Sequence, residues 1–311
     1  MGVALYTHRA CLDHVPGPGH PESPARLTAV LQALDDDRFA TLERIEAPRA
    51  TRAQLLRAHH AGHLAGVLDA PDVDGRRLDA DTVMSTGSKE AALRAAGAVC
   101  AAVDRVMQGD TRRAFCAVRP PGHHATAQAV MGFCLFNNIA VGAMHALAEH
   151  GLARIAIVDF DVHHGNGTQD IFWSEARVLF ASTHQSPLYP GSGSARERGV
   201  GTIINAPLPP GTGSAGFRAA MTDLVLPAVD AFAPQLVLVS AGFDAHRLDP
   251  LANLDLDSDD YAWITRRLVE LAERHAQGRI VSTLEGGYSL TALRETVAVH
   301  VTELLHGCDP D

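Results

Sequence analysis

The segment RIAIVDFDVHHGNG, residues 154–167, decides the fold that the sequence predicts. It opens with a short apolar run rich in Ile and Val, which is typical of a strand buried on both faces of a parallel sheet. Chemically active side chains follow at once, because Asp159, Asp161 and His163 are spaced at i, i+2 and i+4. Alternate residues of a strand point to the same face, so we expect these three side chains to share one face of an extended segment.

Seven further apolar runs alternate with helical patterns along the chain. The runs are VALYT from Val3, the weaker segment 42–47, AFCAV from Ala114, VLFAST from Val178, TIINAPL from Thr202, LVLVSAG from Leu236 and IVSTLEG from Ile280. The predicted helices cover residues 24–34, 51–68, 88–107, 138–150, 217–232, 259–275 and 291–306, with Ser23 and Ser258 as N-caps. This uninterrupted alternation predicts one α/β domain over residues 1–311, built on an eight-stranded parallel sheet flanked by helices.

Composition limits the classes of function. With 46% hydrophobic and 20% charged residues, the chain is expected to bury a large core. No stretch approaches the roughly 18 consecutive apolar residues of a membrane span, and no secretory signal is visible, so we expect a cytoplasmic protein. A net charge of −10 disfavours nucleic acid as a partner, because binding to phosphates needs clustered Lys and Arg.

The cysteines are odd in number, widely spaced and without a C-x-x-C pair. They are Cys11, Cys100, Cys116, Cys134 and Cys308. This usage indicates neither a disulfide framework nor a cysteine zinc site.

Two carboxylates side by side, as predicted for Asp159 and Asp161, repel each other when buried unless a cation or strong hydrogen-bond donors compensate. A bound metal meets that requirement, and Asp and His are suitable ligands for zinc. The alternative is structural, since Asp and His also cap turns.

Three other predicted strands end in residues of the same kind, and ligands of such sheets gather at the carboxyl ends of strands. RPPGHHA presents His123 and His124, SAGFDAHRLDP offers Asp244 and Asp249, and LEGGYS presents Tyr288 after two glycines. Each has an ordinary alternative when it is taken alone. Adjacent histidines occur in surface loops, Asp forms turns, and Tyr is often a packing residue.

Seven motifs in order make the pattern specific. They are HPESPAR at His20, RPPGHHA at Arg119, MGFCLFNN at Met131, DFDVHHGNGTQDIF at Asp159, STHQ at Ser182, SAGFDAHRLDP at Ser240 and LEGGY at Leu284. Together they resemble the histone deacetylase superfamily over about residues 20 to 290, most closely its class II type and bacterial relatives. The resemblance implies the arginase and deacetylase fold, in agreement with the independent strand count.

The resemblance also implies a zinc-dependent amidohydrolase that removes an acyl group from an amine such as acetyl-lysine. Asp161, His163 and Asp249 match the family's ligands for one zinc ion per chain, which leaves positions for a water and the substrate carbonyl oxygen. A potassium ion near the zinc is implied as well. Its surroundings would be Asp159, Asp161, His163, Ser182 and Thr183.

Catalytic roles follow from the same resemblance. His124 matches the histidine that acts as general base and then as general acid. His123 matches its more buried electrostatic partner, paired with Asp159. Tyr288 matches the phenol that donates a hydrogen bond to the oxyanion. Asn166 stands where class I enzymes carry an Asp, and a neutral amide should leave His124 easier to keep unprotonated.

Substrate contacts are implied at the entrance of the site. Phe133 and Tyr189 match the aromatic walls of a narrow tunnel for an aliphatic amine stem, with Gly132 and Gly287 beside them, and Tyr189 replaces a common Phe. Arg26 matches an arginine of the internal cavity beyond the zinc.

Alternatives remain open at this point. A two-manganese ureohydrolase shares the fold, but its D-x-H-x-D motif needs a carboxylate where this chain has Gly165. A catalytically silent acyl-lysine binding module is the non-enzyme alternative. The substrate is an acetyl-lysine peptide, an acetylpolyamine or another small acylated amine, and the motifs do not separate these. The acidic residues Asp81, Asp255 and Asp257 line the rim or belong to solvated loops. The motifs predict no oligomeric state.

Overall fold

A computed structural model describes residues 2–306. An eight-stranded sheet, parallel throughout, forms its centre, with the strand order β2-β1-β5-β10-β9-β6-β7-β8. Its strands are β1 Val3–Thr7, β2 Glu43–Glu46, β5 Arg113–Cys116, β6 Ile155–Asp159, β7 Val178–Gln185, β8 Ile203–Leu208, β9 Leu236–Ala241 and β10 Ile280–Leu284. All eight correspond to the predicted runs, so the predicted fold is confirmed. A small antiparallel pair, β3 Arg76–Arg77 and β4 Val83–Met84, was not predicted because two-residue strands have no periodic pattern.

The sheet is covered by helices. They are α1 Pro24–Ala33, α2 Arg52–Leu56, α3 Ala61–Leu64, α4 Ser88–Gln108, α5 Asn138–Glu149, α6 Asn166–Phe172, α7 Ser214–Ala220, α8 Leu226–Phe232, α9 Ser258–His275 and α10 Leu290–His306. Helices α4 and α5 pack together on the sheet, and α1, α9 and α10 form a second packed group. Within residues 2–306, no helix combines the length and apolarity needed to cross a membrane.

Two of the predicted helices are interrupted. The predicted helix 51–68 divides into α2, α3 and a π-helical turn, because His60 N donates to Ala127 O and His60 takes an extended conformation between the pieces. The predicted helix 217–232 divides at a π-helical turn, Met221–Val225, just before Pro227. Proline lacks the N–H that would continue the α-helical pattern.

The start of α9 differs from its prediction. Ser258 is the first helical residue and not the N-cap. The cap is Asp257, and its backbone N–H bonds in return to the side chain of Asp260 as in a capping box. Ser23 does occupy the cap position of α1, although its hydroxyl makes no capping hydrogen bond.

The predicted extended face of the decisive segment is also wrong. Strand β6 ends at Asp159, and Asp161 and His163 lie in the bend that follows. Asp161 N donates to Asp159 Oδ1 at 3.1 Å, and His163 N donates to Asp161 Oδ1 at 2.9 Å. These successive side-chain-to-backbone bonds curl the chain, so the three side chains stay close together without sharing a strand face.

Candidate active site

Four loops meet at the carboxyl edge of the sheet. Strands β5, β10, β9 and β6 are neighbours in that order, although they are far apart in the sequence. The loop after β5 carries His123 and His124, and the loop after β6 carries Asp161 and His163. Asp244 follows β9, and Tyr288 follows β10. The topology therefore collects into one place the residues that the motifs had singled out separately.

Among the residues that the structure describes, Asp161, His163 and Asp244 form a group that could hold a metal ion. His163 Nδ1 lies 3.0 Å from Asp161 Oδ1 and 3.2 Å from Asp244 Oδ2. Both carboxylates are buried, since Asp161 is 0% exposed and Asp244 is 1% exposed. One nitrogen and two oxygen donors, converging on one point with two buried negative charges, fit a zinc ion.

The second oxygens of both carboxylates are held by the backbone. Val162 N donates to Asp244 Oδ1 at 2.8 Å, and Gly286 N donates to Asp161 Oδ2 at 2.8 Å. A Cβ atom at Gly286 would overlap the Asp244 carboxylate, so glycine is required for this close approach. Such outer contacts orient metal ligands, which supports the fit of this cluster to a divalent cation.

The second carboxylate of the cluster is Asp244 and not Asp249, which the sequence analysis had assigned. Asp249 Oδ2 accepts from Tyr288 N at 2.6 Å and Ser289 N at 3.1 Å, and Oδ1 accepts from Leu251 N at 3.0 Å. Burial and, next, the charge of Asp244 raise the pKa of Asp249 to about 6. Asp249 therefore anchors the loop that carries Tyr288.

His123 is held as a cation. Its Nδ1 lies 3.0 Å from Asp159 Oδ2, as the resemblance implied, and its Nε2 lies 3.8 Å from Asp161 Oδ2. Burial acts against the charged ring, but the carboxylates of Asp161 and Asp159 outweigh it and raise the pKa of His123 to about 10.

His124 is held neutral beside it. Burial, and then the neighbouring His123 and His163 rings, lower the pKa of His124 well below its usual value. Its Nδ1 lies 2.7 Å from Asn166 Oδ1. The Asn166 amide nitrogen donates to Met131 Sδ at 3.2 Å, which leaves the amide oxygen facing the ring. An oxygen can only accept here, so Nδ1 carries the proton and Nε2 keeps its lone pair.

This pairing predicts the effect of Asn166→Asp on pH dependence. A carboxylate in place of the amide stabilises the imidazolium and raises the pKa of His124. The acidic limb of the kcat/KM profile is therefore expected to move to higher pH by about one unit or more. His124→Ala should lower turnover at least ~10²-fold at every pH. An acidic limb that stays in place in the Asp variant would count against His124 as the base.

Tyr288 is fixed by packing around its loop. Arg26 is buried, with Nε donating to Gly287 O at 2.6 Å and its guanidinium carbon 4.8 Å from the centroid of the Tyr288 ring. Gly287 has φ of +120°, which a residue with a side chain rarely adopts. Burial raises the pKa of Tyr288 well above its usual value, so the phenol stays a proton donor. Phe133 lies beside it, with ring centroids 6.0 Å apart.

Aromatic rings flank the approach to the histidines. The Tyr189 ring lies 5.2 Å from that of His124 and is 38% exposed. Phe133 approaches from the side of Tyr288, and His20 packs on it at 4.7 Å. Gly132, with φ of +55°, passes so close that a Cβ atom there would overlap the His124 ring.

The three acidic residues that were considered for the rim lie in different surroundings. Asp81 is half-buried next to Thr82, whose hydroxyl accepts from Phe133 N at 3.1 Å. That hydroxyl in turn donates to Asp81 Oδ1 at 3.2 Å, which brings the Asp81 carboxylate close to Phe133. Burial, and then the Asp81 charge, raise the pKa of Tyr189. Asp257 instead caps α9 and pairs with Arg247 at 2.9 Å. Asp255 forms a backbone bridge with Gly213.

Comparison with known proteins agrees with this geometry. The sequence model of the histone deacetylase domain matches residues 20–304. The chain belongs to the histone deacetylase family. It is 40% identical over 297 residues to a "Probable deacetylase" of Archaeoglobus fulgidus, an alignment that covers 93% of this chain and 82% of that protein. A "Histone deacetylase-like amidohydrolase" of Pseudomonas aeruginosa is 40% identical over 310 residues, with 92% and 82% covered.

The fold of the histone deacetylase family is equally evident in a solved structure. The crystal structure of the HDA15 HD domain superposes with a TM-score of 0.92 at 34% identity, covering 100% of this chain and 91% of that one. A relative from Arabidopsis thaliana, "Histone deacetylase 14, chloroplastic", is 37% identical over 326 residues, covering 97% of this chain and 76% of that protein. The family membership supports a hydrolase.

A second group with metal-binding side chains is present in the described part of this histone deacetylase relative. Asp104 Oδ1 lies 2.7 Å from His145 Nε2 and 2.8 Å from His150 Nε2. His145 Nδ1 faces Arg57 Nη1 at 3.0 Å, and arginine can only donate. The proton of His145 therefore lies on Nε2, toward Asp104, and the group is a hydrogen-bonded link between α4 and α5.

Sequence reasoning gave no role to Glu285, although it stands in the quoted motif LEGGY. Its side chain is fully buried and directed at the turn that carries His123. The signal in the sequence was a charged residue within an otherwise apolar strand end, which is costly to bury without partners.

Proposed function

We propose that the protein is a zinc-dependent amidohydrolase that removes an acyl group, acetyl in the first place, from an amine such as acetyl-lysine. One zinc ion per chain would be held by Asp161, His163 and Asp244. The observation that carries the proposal is the convergence of this cluster with neutral His124 and protonated Tyr288 at one sheet edge. Zinc would supply a Lewis acid for the amide carbonyl and lower the pKa of water.

The chain's own residues would perform the proton transfers. His124 Nε2 takes a proton from the attacking water and later gives one to the leaving amine. Asn166 fixes the ring that does this, and the His123 cation, paired with Asp159, adds positive charge next to the reacting centre. The Tyr288 hydroxyl donates a hydrogen bond to the carbonyl oxygen as negative charge develops on it.

The ureohydrolase alternative is disfavoured because there is no room for a side chain at residue 165. A second metal would need a carboxylate at residue 165, but a Cβ atom at Gly165 would overlap the Asp159 carboxylate. The silent binding module is disfavoured because His124 and Tyr288, which binding alone does not need, are both present and oriented.

The substrate is proposed as a class. Phe133 and Tyr189 suit an aliphatic stem, and the Asp81 carboxylate, linked to Phe133 N through the Thr82 hydroxyl, suits an amide N–H or a cationic group outside the stem. Both acetyl-lysine peptides and acetylpolyamines satisfy these conditions. A potassium ion near Asp159 stays a prediction. The structure places Asp159 opposite Ser182 in the β6–β7 register, with Thr183 following in β7.

A cytoplasmic location belongs to the proposal as well. Cys11, Cys100, Cys116 and Cys134 are buried free thiols, which fits a reducing compartment. Cys308 lies outside the described residues.

A panel assay tests the proposal. Release of the free amine is measured with acetyl-lysine peptides, N-acetylated polyamines and longer acyl chains on the same zinc-loaded protein. Hydrolysis of at least one acylated amine is expected, and the relative kcat/KM values identify the substrate class. Tight binding of acyl-lysine without any hydrolysis across the panel would instead support the silent module.

A further inference from the structure

Glu285 is a buried carboxylate directed at the catalytic turn. Its Oε2 accepts from Gly122 N at 2.6 Å and from His123 N at 3.2 Å. Its Oε1 accepts from the Ser240 hydroxyl at 3.3 Å. The residue is 0% exposed, and its oxygens are thus taken up by two backbone amides and one hydroxyl.

The sheet topology puts Glu285 in this position. It follows directly after β10, which lies between β5 and β9. From there the side chain reaches the turn after β5 on one side and Ser240, near the end of β9, on the other. The same turn is held from another direction, because Asn138 Nδ2 donates to Pro120 O at 3.0 Å. The backbone before His124 is therefore clamped between α5 and Glu285.

Burying this carboxylate is expensive. Burial raises the pKa of Glu285 to about 7, although the nearby His123 cation and the Gly122 amide act in the opposite direction. The carboxylates of Asp159 and Asp161 are close enough to add repulsion. An apolar side chain would avoid this cost but would leave two buried N–H groups without acceptors.

We propose that Glu285 is a positioning residue for the His123–His124 turn, acting as the hydrogen-bond acceptor that fixes the Gly122 and His123 amides. The proposal rests on the proposed function, since what it positions is the lone pair of His124 Nε2 relative to the attacking water. A displacement of about 1 Å in such a group can cost ~10²-fold in rate without weakening substrate binding.

Three variants distinguish the effect of losing the hydrogen-bond acceptor from the effect of changing the side-chain volume. Glu285→Gln keeps an acceptor oxygen for both amides and turns its NH2 toward the Ser240 hydroxyl. Glu285→Leu keeps most of the volume and removes the acceptor. Glu285→Asp keeps the charge but withdraws the acceptor by one methylene. Asp260→Asn is the control for the loss of a buried carboxylate elsewhere. Asp260 lies at the start of α9 and accepts from the Ser214 hydroxyl and from Arg218 Nε, both on α7.

Zinc-loaded variants are assayed on an acetyl-lysine peptide, with zinc content and melting temperature measured in parallel. We expect kcat to fall ~10²-fold in Glu285→Leu and about 10-fold or more in Glu285→Asp, with KM within about threefold of the wild type. Glu285→Gln should stay within about tenfold, since its acceptor remains. Asp260→Asn should lower the melting temperature while kcat stays within about twofold.

Amide hydrogen exchange of residues 119–126 gives a readout that does not need activity. Exchange should be faster in the Leu variant than in the wild type and near wild type in the Gln variant. A folded, zinc-loaded Leu variant with near-normal kcat and slow exchange would overturn the proposal, as would a Gln variant as impaired as Leu. If Leu does not fold, the Asp variant decides by the same criteria. Inactivity of the wild type on all acylated amines would instead refute the proposed function, while the exchange comparison would still decide whether Glu285 holds the turn.

Discussion

Asp244→Ala is expected to abolish zinc binding and turnover together, whereas Asp249→Ala is expected to retain about one zinc per chain. Asp244 contributes one of the two carboxylates that face His163 Nδ1, at 3.2 Å. Loss of an outer contact to a zinc ligand already weakens binding by about 10- to 100-fold, so loss of a ligand should exceed ~100-fold. Asp249, in contrast, binds the amides of Tyr288 and Ser289.

The two variants form a matched pair, because the residues belong to one motif, FDAHRLDP, and undergo the same change. Zinc content is measured by elemental analysis after dialysis against zinc-free buffer, and circular dichroism confirms folding. Asp249→Ala should lose turnover through displacement of Tyr288 while it keeps its zinc. A zinc-free Asp249→Ala together with a zinc-loaded Asp244→Ala would restore the assignment based on the sequence alone.

Tyr288→Phe is expected to reduce kcat by about 10² to 10³-fold while zinc content and folding remain unchanged. The substitution keeps the ring, its contact with Phe133 and its position near Arg26, and it deletes only the hydroxyl. A preorganised donor to the developing oxyanion is worth about 3 to 4 kcal/mol in the transition state, which is the origin of the expected loss.

Tyr6→Phe is the matched control for this change. Tyr6 is a buried phenol on β1 whose hydroxyl donates to Ala101 O at 3.3 Å. Its loss should cost about 1 kcal/mol of stability without changing kcat. Near-normal turnover in Tyr288→Phe would reduce Tyr288 to a packing residue and would contradict the mechanism.

The strands were predictable because their chemistry is local. The run at residues 155–158 is apolar on both faces, which is typical of a covered parallel strand. Helix α6 was missed because its first residues, Asn166 and Gly167, read as a turn. In the structure its N-terminus is anchored by a contact distant in sequence, with Gly167 N donating to His123 O at 3.1 Å.

The site was predictable only in part, for a related reason. Motifs identified the loops, but the spacing within FDAHRLDP cannot tell which of Asp244 and Asp249 reaches His163, because that depends on the path of the loop. The role of Glu285 was invisible for a further reason. No local pattern shows that β10 enters the sheet between β5 and β9, and only this order brings Glu285 under the His123 turn.

The most direct test of the account is turnover of an acetyl-lysine peptide and an N-acetylated polyamine by protein stripped of metal with a chelator and then titrated with zinc. The account predicts no acetate release without metal and full recovery at about one equivalent of zinc per chain. A second equivalent should add nothing, because one cluster of three ligands binds one ion. Unchanged turnover in the metal-free protein, or a requirement for two equivalents, would contradict it.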